Sequence, residues 1–317
     1  MELTGKILVV GPTGTVGQPV AEELAKRPGV DVWGLARFQD PETRAYLESK
    51  GVTCFPMDMA ADLPVGLPDD FDYVLNFGVV KSRNYDWGYD LDANAGGLGV
   101  IASHCRSAKA LLHCSSTNVY RPNGPHPLNE NDPLSDTPRS SDLLATYTIC
   151  RIAAEAMARY AARQFGLPIV IARLNVPYGR NGGWLGHHLN MVLADEPIPI
   201  FPGQENVFNP IHESDIMAMI PGLLEVAGTP AVIVNWGGSE PVSVEQWCTY
   251  IGHLVGKRAH FLTTDTVVGA TPIDPTKMHD LVGRTTTPWR AGVRDMVAFR
   301  EPQIPLADDL DEWVTSP

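Results

Sequence analysis

The sequence predicts an α/β fold: a doubly wound parallel sheet with a smaller, interleaved lobe. Three observations predict it. A strand-like run, a glycine-punctuated turn and a helix-like run follow one another directly over residues 6–25. Apolar runs of strand length then alternate with helix-length segments as far as residue 175. Beyond that the texture changes to one rich in Gly, Pro and His. Strands that alternate with helices pair in parallel, and such a sheet is covered on both faces.

The elements follow in order. Lys6-Ile7-Leu8-Val9-Val10 is a continuous apolar run of strand length, hence a buried first strand. It enters Gly11-Pro12-Thr13-Gly14-Thr15-Val16-Gly17, and a helix is predicted from residue 18 to 25. Glycines let the backbone turn tightly and approach a ligand closely. The N–H groups and positive dipole end of the following helix hold negative charge. Placed between a strand and a helix, the turn reads as a dinucleotide phosphate site formed by Gly11, Thr13, Gly14, Thr15, Val16 and Gly17. Further strands are predicted at 31–37, 52–58, 71–77, 110–115, 168–173 and 231–235. Helices are predicted at 41–50, 90–108, 141–165, 189–194, 211–227 and 244–255. The predicted division is a dinucleotide-binding domain of 1–175 plus 207–238, and a substrate-binding lobe of 176–206 and 239–317.

Composition narrows the function. Acidic residues outnumber basic ones 37 to 24, and a net charge of −13 argues against a nucleic-acid or anionic-membrane partner. No apolar run approaches the roughly 20 residues that span a bilayer. The N-terminus lacks a basic n-region, so no signal peptide is read and a cytoplasmic location is expected. The five cysteines are scattered, and none forms a C-x-x-C pair, which fits reduced thiols. His187 and His188 are adjacent, so their side chains diverge on a regular element; no metal site is expected.

Later residues carry a resemblance. Asp58 lies in Pro56-Met57-Asp58-Met59, Asn94 in Asp92-Ala93-Asn94-Ala95-Gly96-Gly97, and Ser116 in Ser115-Ser116-Thr117-Asn118-Val119-Tyr120. Tyr147 and Glu155 share one predicted helix. Arg173-Leu174-Asn175-Val176-Pro177-Tyr178-Gly179, Pro210-Ile211-His212-Glu213-Ser214-Asp215 and Asn235-Trp236-Gly237-Gly238 follow. In that order, and with the glycine turn, the chain resembles an extended short-chain dehydrogenase/reductase of the NAD-dependent epimerase/dehydratase family, over nearly its whole length. The resemblance implies a Rossmann sheet and a homodimer. It places Asp58 and Met59 at the adenine, and Phe77, Gly78, Asn94, Asn175 and Val176 along the rest of the cofactor. It makes Tyr147 the proton-transferring phenol, Ser116 the residue that holds the substrate oxygen, and Ser115 or Thr117 an assistant. Val80, Thr117, Tyr178 and Trp184 are the substrate-binding candidates.

The chain departs from that pattern at one catalytic position. The family's lysine, four residues after the tyrosine, is Arg151. Helical spacing keeps it on the Tyr147 face, and its charge still favours a phenolate. A planar guanidinium does not reproduce a compact ammonium between ribose hydroxyls. Cofactor choice is read at the end of the second strand, Leu35-Ala36-Arg37. A carboxylate there would bond a ribose 2′-hydroxyl, whereas Arg37 suits a 2′-phosphate, so NADP(H) is expected, with NAD the other choice.

The substrate remains open at this point. The family's diphosphate-gripping arginine, four residues before His212, is Phe208, and residues 263–273 hold no arginine. Val79, Val80, Tyr85, Trp87, Trp184, Leu185, Met191, Ile200 and Phe201 form either an apolar pocket lining or the lobe's own core. The expected function is hydride transfer at a carbonyl or alcohol of a small, largely apolar molecule. The alternatives are a sugar-nucleotide epimerase or dehydratase, and a non-catalytic NADP-binding sensor.

Overall fold

The computed structural model describes residues 3–82, 86–136 and 145–308. Tyr85, the start of the helix predicted from residue 141, and the last nine residues of the tail lie outside the described residues.

Seven strands form one wholly parallel sheet. They are β1 (Gly5–Val10), β2 (Val30–Ala36), β3 (Thr53–Pro56), β4 (Tyr73–Asn76), β5 (Ala110–Ser116), β6 (Ile169–Leu174) and, after four short strands, β11 (Val232–Trp236). Their order is β11-β6-β5-β4-β1-β2-β3. The order reverses at β1, which pairs with β2 on one side and β4 on the other, and ligands bind in the crevice at such a switch point. The fold is the doubly wound α/β Rossmann arrangement that the alternation predicts.

Residue chemistry explains the layers. Every residue of β5 is buried, and its polar residues, His113, Ser115 and Ser116, fall toward the carboxyl end. One face of the sheet is covered by α1 (Gly17–Ala25) and α7 (Glu213–Glu225), through Val20, Ala21, Leu24, Ile216, Ile220 and Leu223. The other carries α4 (Gly97–His104) and α5 (Tyr147–Phe165). Small buried residues, Ala154, Ala158, Ala161 and Ala162, let α5 lie close to the strands. It ends where Gly166 takes φ +67°, the usual left-handed stop. Outside β2, Asp40 caps α2 (Pro41–Ser49) by accepting from the N–H groups of Glu42 and Thr43.

The helix predicted over 90–108 is composite. It comprises α3 (Trp87–Leu91), a π-helical turn (Asp92–Gly96) and α4. Asn94 Nδ2 donates to the Asp90 carbonyl oxygen at 2.7 Å, a side-chain claim on an acceptor of the helical ladder that accompanies the wider turn.

A third hydrophobic cluster gathers residues 178–198, 208, 242–254 and 293–297. Its helices are α6 (Gly183–Ala194), α8 (Val244–Leu254) and α10 (Trp289–Arg300); α9 (Thr276–Val282) packs beside α7 and β11. The four short strands after β6 are β7 (Pro177–Gly179), β8 (Ile198–Ile200), β9 (Val207–Phe208) and β10 (Ile211–His212); β12 (Val242–Ser243) and β13 (Phe261–Thr263) complete the set. They join as β10-β7, β12-β9 and β13-β8. The helix predicted at 189–194 begins earlier, at Gly183, because Gly182 and Gly183 at positive φ make the turn into it. Helix α10 buries Val293, Met296 and Val297 in a region where the sequence predicted no helix. Among the described residues no helix is long and apolar enough to cross a membrane.

Candidate active site

The glycine turn lies at the switch point, and its three glycines answer to different constraints. Gly11 has φ +78°, and a Cβ there would lie 2.8 Å from the Gly78 backbone. A Cβ on Gly17 would meet the Gly11 carbonyl oxygen at 2.1 Å. These two allow the turn to close against β4 and α1. Gly14 is exposed, and the nearest atom to a Cβ on it is 3.5 Å away, an ordinary contact. Its missing side chain answers no need inside the protein and leaves that face open to a ligand. No side chain caps the N-terminus of α1, where anion-binding N–H groups are expected. Thr13, Gly14 and Thr15 are all exposed above it, and Val16 is partly so.

From the turn a cavity of about 250 Å³ runs along the carboxyl edge of the sheet. Gly11, Thr13, Arg37, Asp58, Met59, Gly78 and Val80 line it, while Phe77 lies in the core behind. The cradle fits a dinucleotide. The Arg37 guanidinium donates to Tyr89 Oη at 2.9 Å, and Tyr89 Oη donates to Asp58 Oδ2 at 2.8 Å. Burial and then the Asp58 carboxylate push the Tyr89 phenol up. The sequence offered Arg37 and Asp58 separately; Tyr89 joins them.

Three predicted groups meet at the other end. Ser116 closes β5 and its Oγ accepts from Asn118 N–H. Tyr147 opens α5, and Arg151 follows one turn later with its Cζ 5.4 Å from the Tyr147 ring centroid. Arg151 is only 2% exposed. It donates to the Cys114 carbonyl at 3.3 Å and to the Gly78 carbonyl at 3.0 Å, and its Nε has no partner among the described residues. The guanidinium therefore ties the ends of β4 and β5 together. Beside it, burial and the Arg151 charge push His113 down to about 3, so that histidine stays neutral.

A second cation was not legible in the sequence. The Lys81 ammonium lies 5.5 Å from the Tyr147 centroid. Asp90, fully buried, accepts from Ser82 N–H at 2.9 Å, Ser82 Oγ at 3.1 Å and Thr146 Oγ at 2.5 Å. It joins the loop after β4 to the residue before Tyr147.

Other predicted residues shape the site from behind. Asn94 bonds the backbone of Val80 in both directions and so sets that wall. Asn175 donates to Thr117 Oγ and the Thr271 carbonyl and accepts from Asn209 N–H, which leaves it buried in a junction between segments. Val176 follows at φ +25°. Thr117 is buried against Asn175, and Ser115 donates to Glu155, which is itself paired bidentately with Arg173 at 2.9 and 2.8 Å. Neither hydroxyl points as an assistant to Ser116. Two substrate-binding expectations are corrected: Tyr178 is 2% exposed in the third cluster, its hydroxyl donating to the Trp289 carbonyl, and Trp184 packs edge-on against Phe208 and Trp247. Leu185 is fully buried there too, with Met191 and Ile200 packed against the same cluster. These apolar residues satisfy one another. Among the described residues no three His, Cys, Asp or Glu side chains group as a metal site.

A parallel sheet of this order, with a glycine turn at its switch point, defines a doubly wound α/β protein of the Rossmann type. The family model for the NAD-dependent epimerase/dehydratase family matches residues 7–235, and the chain belongs to that family. It is 26% identical over 285 residues to an uncharacterized UDP-glucose epimerase, YtcB, of Bacillus subtilis, covering 83% of this chain and 86% of that one. It is 23% identical to a dTDP-4-dehydro-6-deoxy-D-allose reductase of a Streptomyces species, covering 91% and 94%. The fold is that of the UDP-glucuronic acid 4-epimerase of Bacillus cereus, solved with NAD and a fluorinated UDP-sugar: TM-score 0.80, 19% identity, 94% and 100% covered. It is also that of DesIV, a dTDP-glucose 4,6-dehydratase of Streptomyces venezuelae solved with NAD: TM-score 0.76, 16% identity, 94% and 97% covered.

Proposed function

We propose that this protein is a nicotinamide-dependent oxidoreductase that acts on a carbinol or carbonyl carbon of a sugar nucleotide. The observation that carries the reading is Tyr147 beside the Arg151 cation, which bonds the carbonyl of Cys114, two residues before Ser116 at the end of β5. In this reading Ser116 holds the substrate oxygen, and the Tyr147 phenolate takes the hydroxyl proton during oxidation and returns it during reduction. A bound nicotinamide supplies or accepts the hydride. Gly11, Thr13, Gly14, Thr15, Val16 and Gly17 hold its pyrophosphate, and Asp58 and Met59 its adenine.

The sugar-nucleotide reading displaces the small apolar substrate expected from the sequence. Of the apolar side chains that expectation needed, Leu185 is buried in the lobe's own core and Trp184, Met191 and Ile200 pack against it, while Val79 and Val80 line the cavity beside the glycine turn. The relatives by sequence, an uncharacterized UDP-glucose epimerase and a dTDP-sugar reductase, support the same substrate class. Phe208, 3% exposed, offers a diphosphate nothing. Between NAD and NADP, Arg37 in the cavity wall supports NADP(H); the solved neighbours carry NAD. We also propose a homodimer. The outer face of α4 and α5 presents a groove lined by Leu63, Val100, Met157, Tyr160 and Phe165, with Leu63 70% and Tyr160 50% exposed.

The test is turnover of UDP- and dTDP-hexoses in the presence of each cofactor, followed by proton NMR of the sugar. Tyr147→Phe is expected to lower turnover on the order of 10²–10⁴-fold while cofactor affinity is retained. Full activity of that variant would remove the phenol from the mechanism.

A further inference from the structure

We propose that Lys81, on the loop after β4, supplies the mobile ammonium beside the Tyr147 phenol that the immobilised Arg151 guanidinium does not. The inference rests on Tyr147 being the proton-transferring group.

Two cations approach the same ring, and they differ in freedom. Arg151 is buried, and both of its terminal nitrogens are held by backbone carbonyls at 3.0 and 3.3 Å. To turn toward a ligand it would give up both carbonyl bonds and leave its buried charge uncompensated. Lys81 is exposed, and its ammonium lies 5.5 Å from the ring centroid. A phenolate spreads its charge over the ring, so a cation at that distance favours the ionised form. An ammonium is also a compact three-donor group, suited to hydroxyls on a ligand bound along the same edge.

The placement of Lys81 is built. Asn94 clamps Val80, the residue before it, through both backbone groups. Asp90 clamps Ser82, the residue after it, through backbone and hydroxyl. The same Asp90 carboxylate bonds Thr146, which precedes Tyr147. One buried side chain thus sets the lysine-bearing loop against the tyrosine-bearing helix, and the π-helical turn brings Asn94 to its task. Among the described residues, the titratable and charged groups around the contact are Lys81 from the loop, Asp90 from α3, His113 and Cys114 from β5, and Cys150 and Arg151 from α5. His113 is held neutral, and burial pushes the Cys114 and Cys150 thiols up, so among the described residues Asp90, Arg151 and Lys81 are the charged side chains around the phenol. In the step itself the substrate hydroxyl gives its proton to the phenolate as hydride leaves the carbon for the cofactor. Lys81 neither gains nor loses a proton.

The phenol can be read without a substrate. Ultraviolet phenolate titration of the full chain, minus the same titration of its Tyr147→Phe form, isolates this one group. Lys81→Ala is expected to move the midpoint up by a few tenths of a pH unit, and Lys81→Arg to restore most of the shift. The acid limb of kcat/KM for sugar-nucleotide oxidation moves with it. An unmoved midpoint in Lys81→Ala overturns the role of Lys81, even if Tyr147→Phe abolishes turnover. A moved midpoint with full turnover in Tyr147→Phe leaves the Lys81–phenol contact standing and overturns the function assigned to the phenol.

Discussion

Tyr147 and Ser116 were legible through the family resemblance, and Arg151 through its place one helical turn after Tyr147. Their partners were not. Lys81 lies 66 residues before Tyr147 in sequence, and only the Asp90 bridge brings them together. Arg151 keeps the charge of a lysine, but its two donors are directed at carbonyls by burial, which residue type alone does not reveal. Arg37 gives the prediction at this scale. Its bond to Tyr89 holds the guanidinium at the cavity wall, where a 2′-phosphate would form a charge-assisted bond worth roughly 1.5–3 kcal/mol. Arg37→Ala is therefore expected to weaken NADP⁺ binding by roughly 10- to 100-fold and leave NAD⁺ binding nearly unchanged, by titration calorimetry. Equal losses for both coenzymes would show that Arg37 does not read the phosphate.

At the scale of elements, the strand–turn–helix unit was read correctly, yet its glycines are not equivalent. Gly17→Ala drives a Cβ to 2.1 Å from a carbonyl oxygen, so α1 must move, and a lower melting temperature and lost cofactor binding are expected together. Gly14→Ala meets nothing closer than 3.5 Å. It should melt within a few degrees of the parent while losing cofactor affinity, because its methyl group occupies the ligand's face. Calorimetric melting and cofactor titration of both variants separate the roles; a strongly destabilised Gly14→Ala would refute the assignment. The composite helix from Trp87 to His104 shows the limit of periodicity. Its apolar spacing announced a helix, but the Asn94 side-chain bond that accompanies the wider turn depends on where Val80 lies.

For the whole molecule, each layer carries one neutral buried histidine. Burial and Arg151 push His113 in the sheet down to about 3, and burial and His187 push His188 in the lobe down to about 3. His188 Nδ1 accepts from the Trp247 indole N–H, a bond that protonation would abolish. The unfolded chain takes up these protons near pH 6.5 and the folded chain does not. Stability is therefore full above pH 6.5 and declines as pH falls toward 3, by about 2 kcal/mol per histidine between pH 7 and pH 5. Urea unfolding at the two pH values checks this. His188→Gln, which retains an acceptor but does not titrate, should lose about half of these histidines' share of the dependence. The α4–α5 face supplies the second prediction: Tyr160→Asp should give a monomer in sedimentation if that face joins two copies. An unchanged dimer would place the interface elsewhere.

The sequence by itself determined the sheet and the glycine turn, because these depend on local period and backbone freedom, and its ordered motifs carried the resemblance that pointed to the family and to Tyr147. Only the tertiary structure decided which side chains face the ligand. Trp184 and Tyr178 look like pocket residues in one dimension and prove to be core, whereas Lys81 looks like a solvated loop lysine and stands over the phenol. The physical reason is that burial and charge contact depend on which distant segments pack together, and no spacing along the chain encodes that directly.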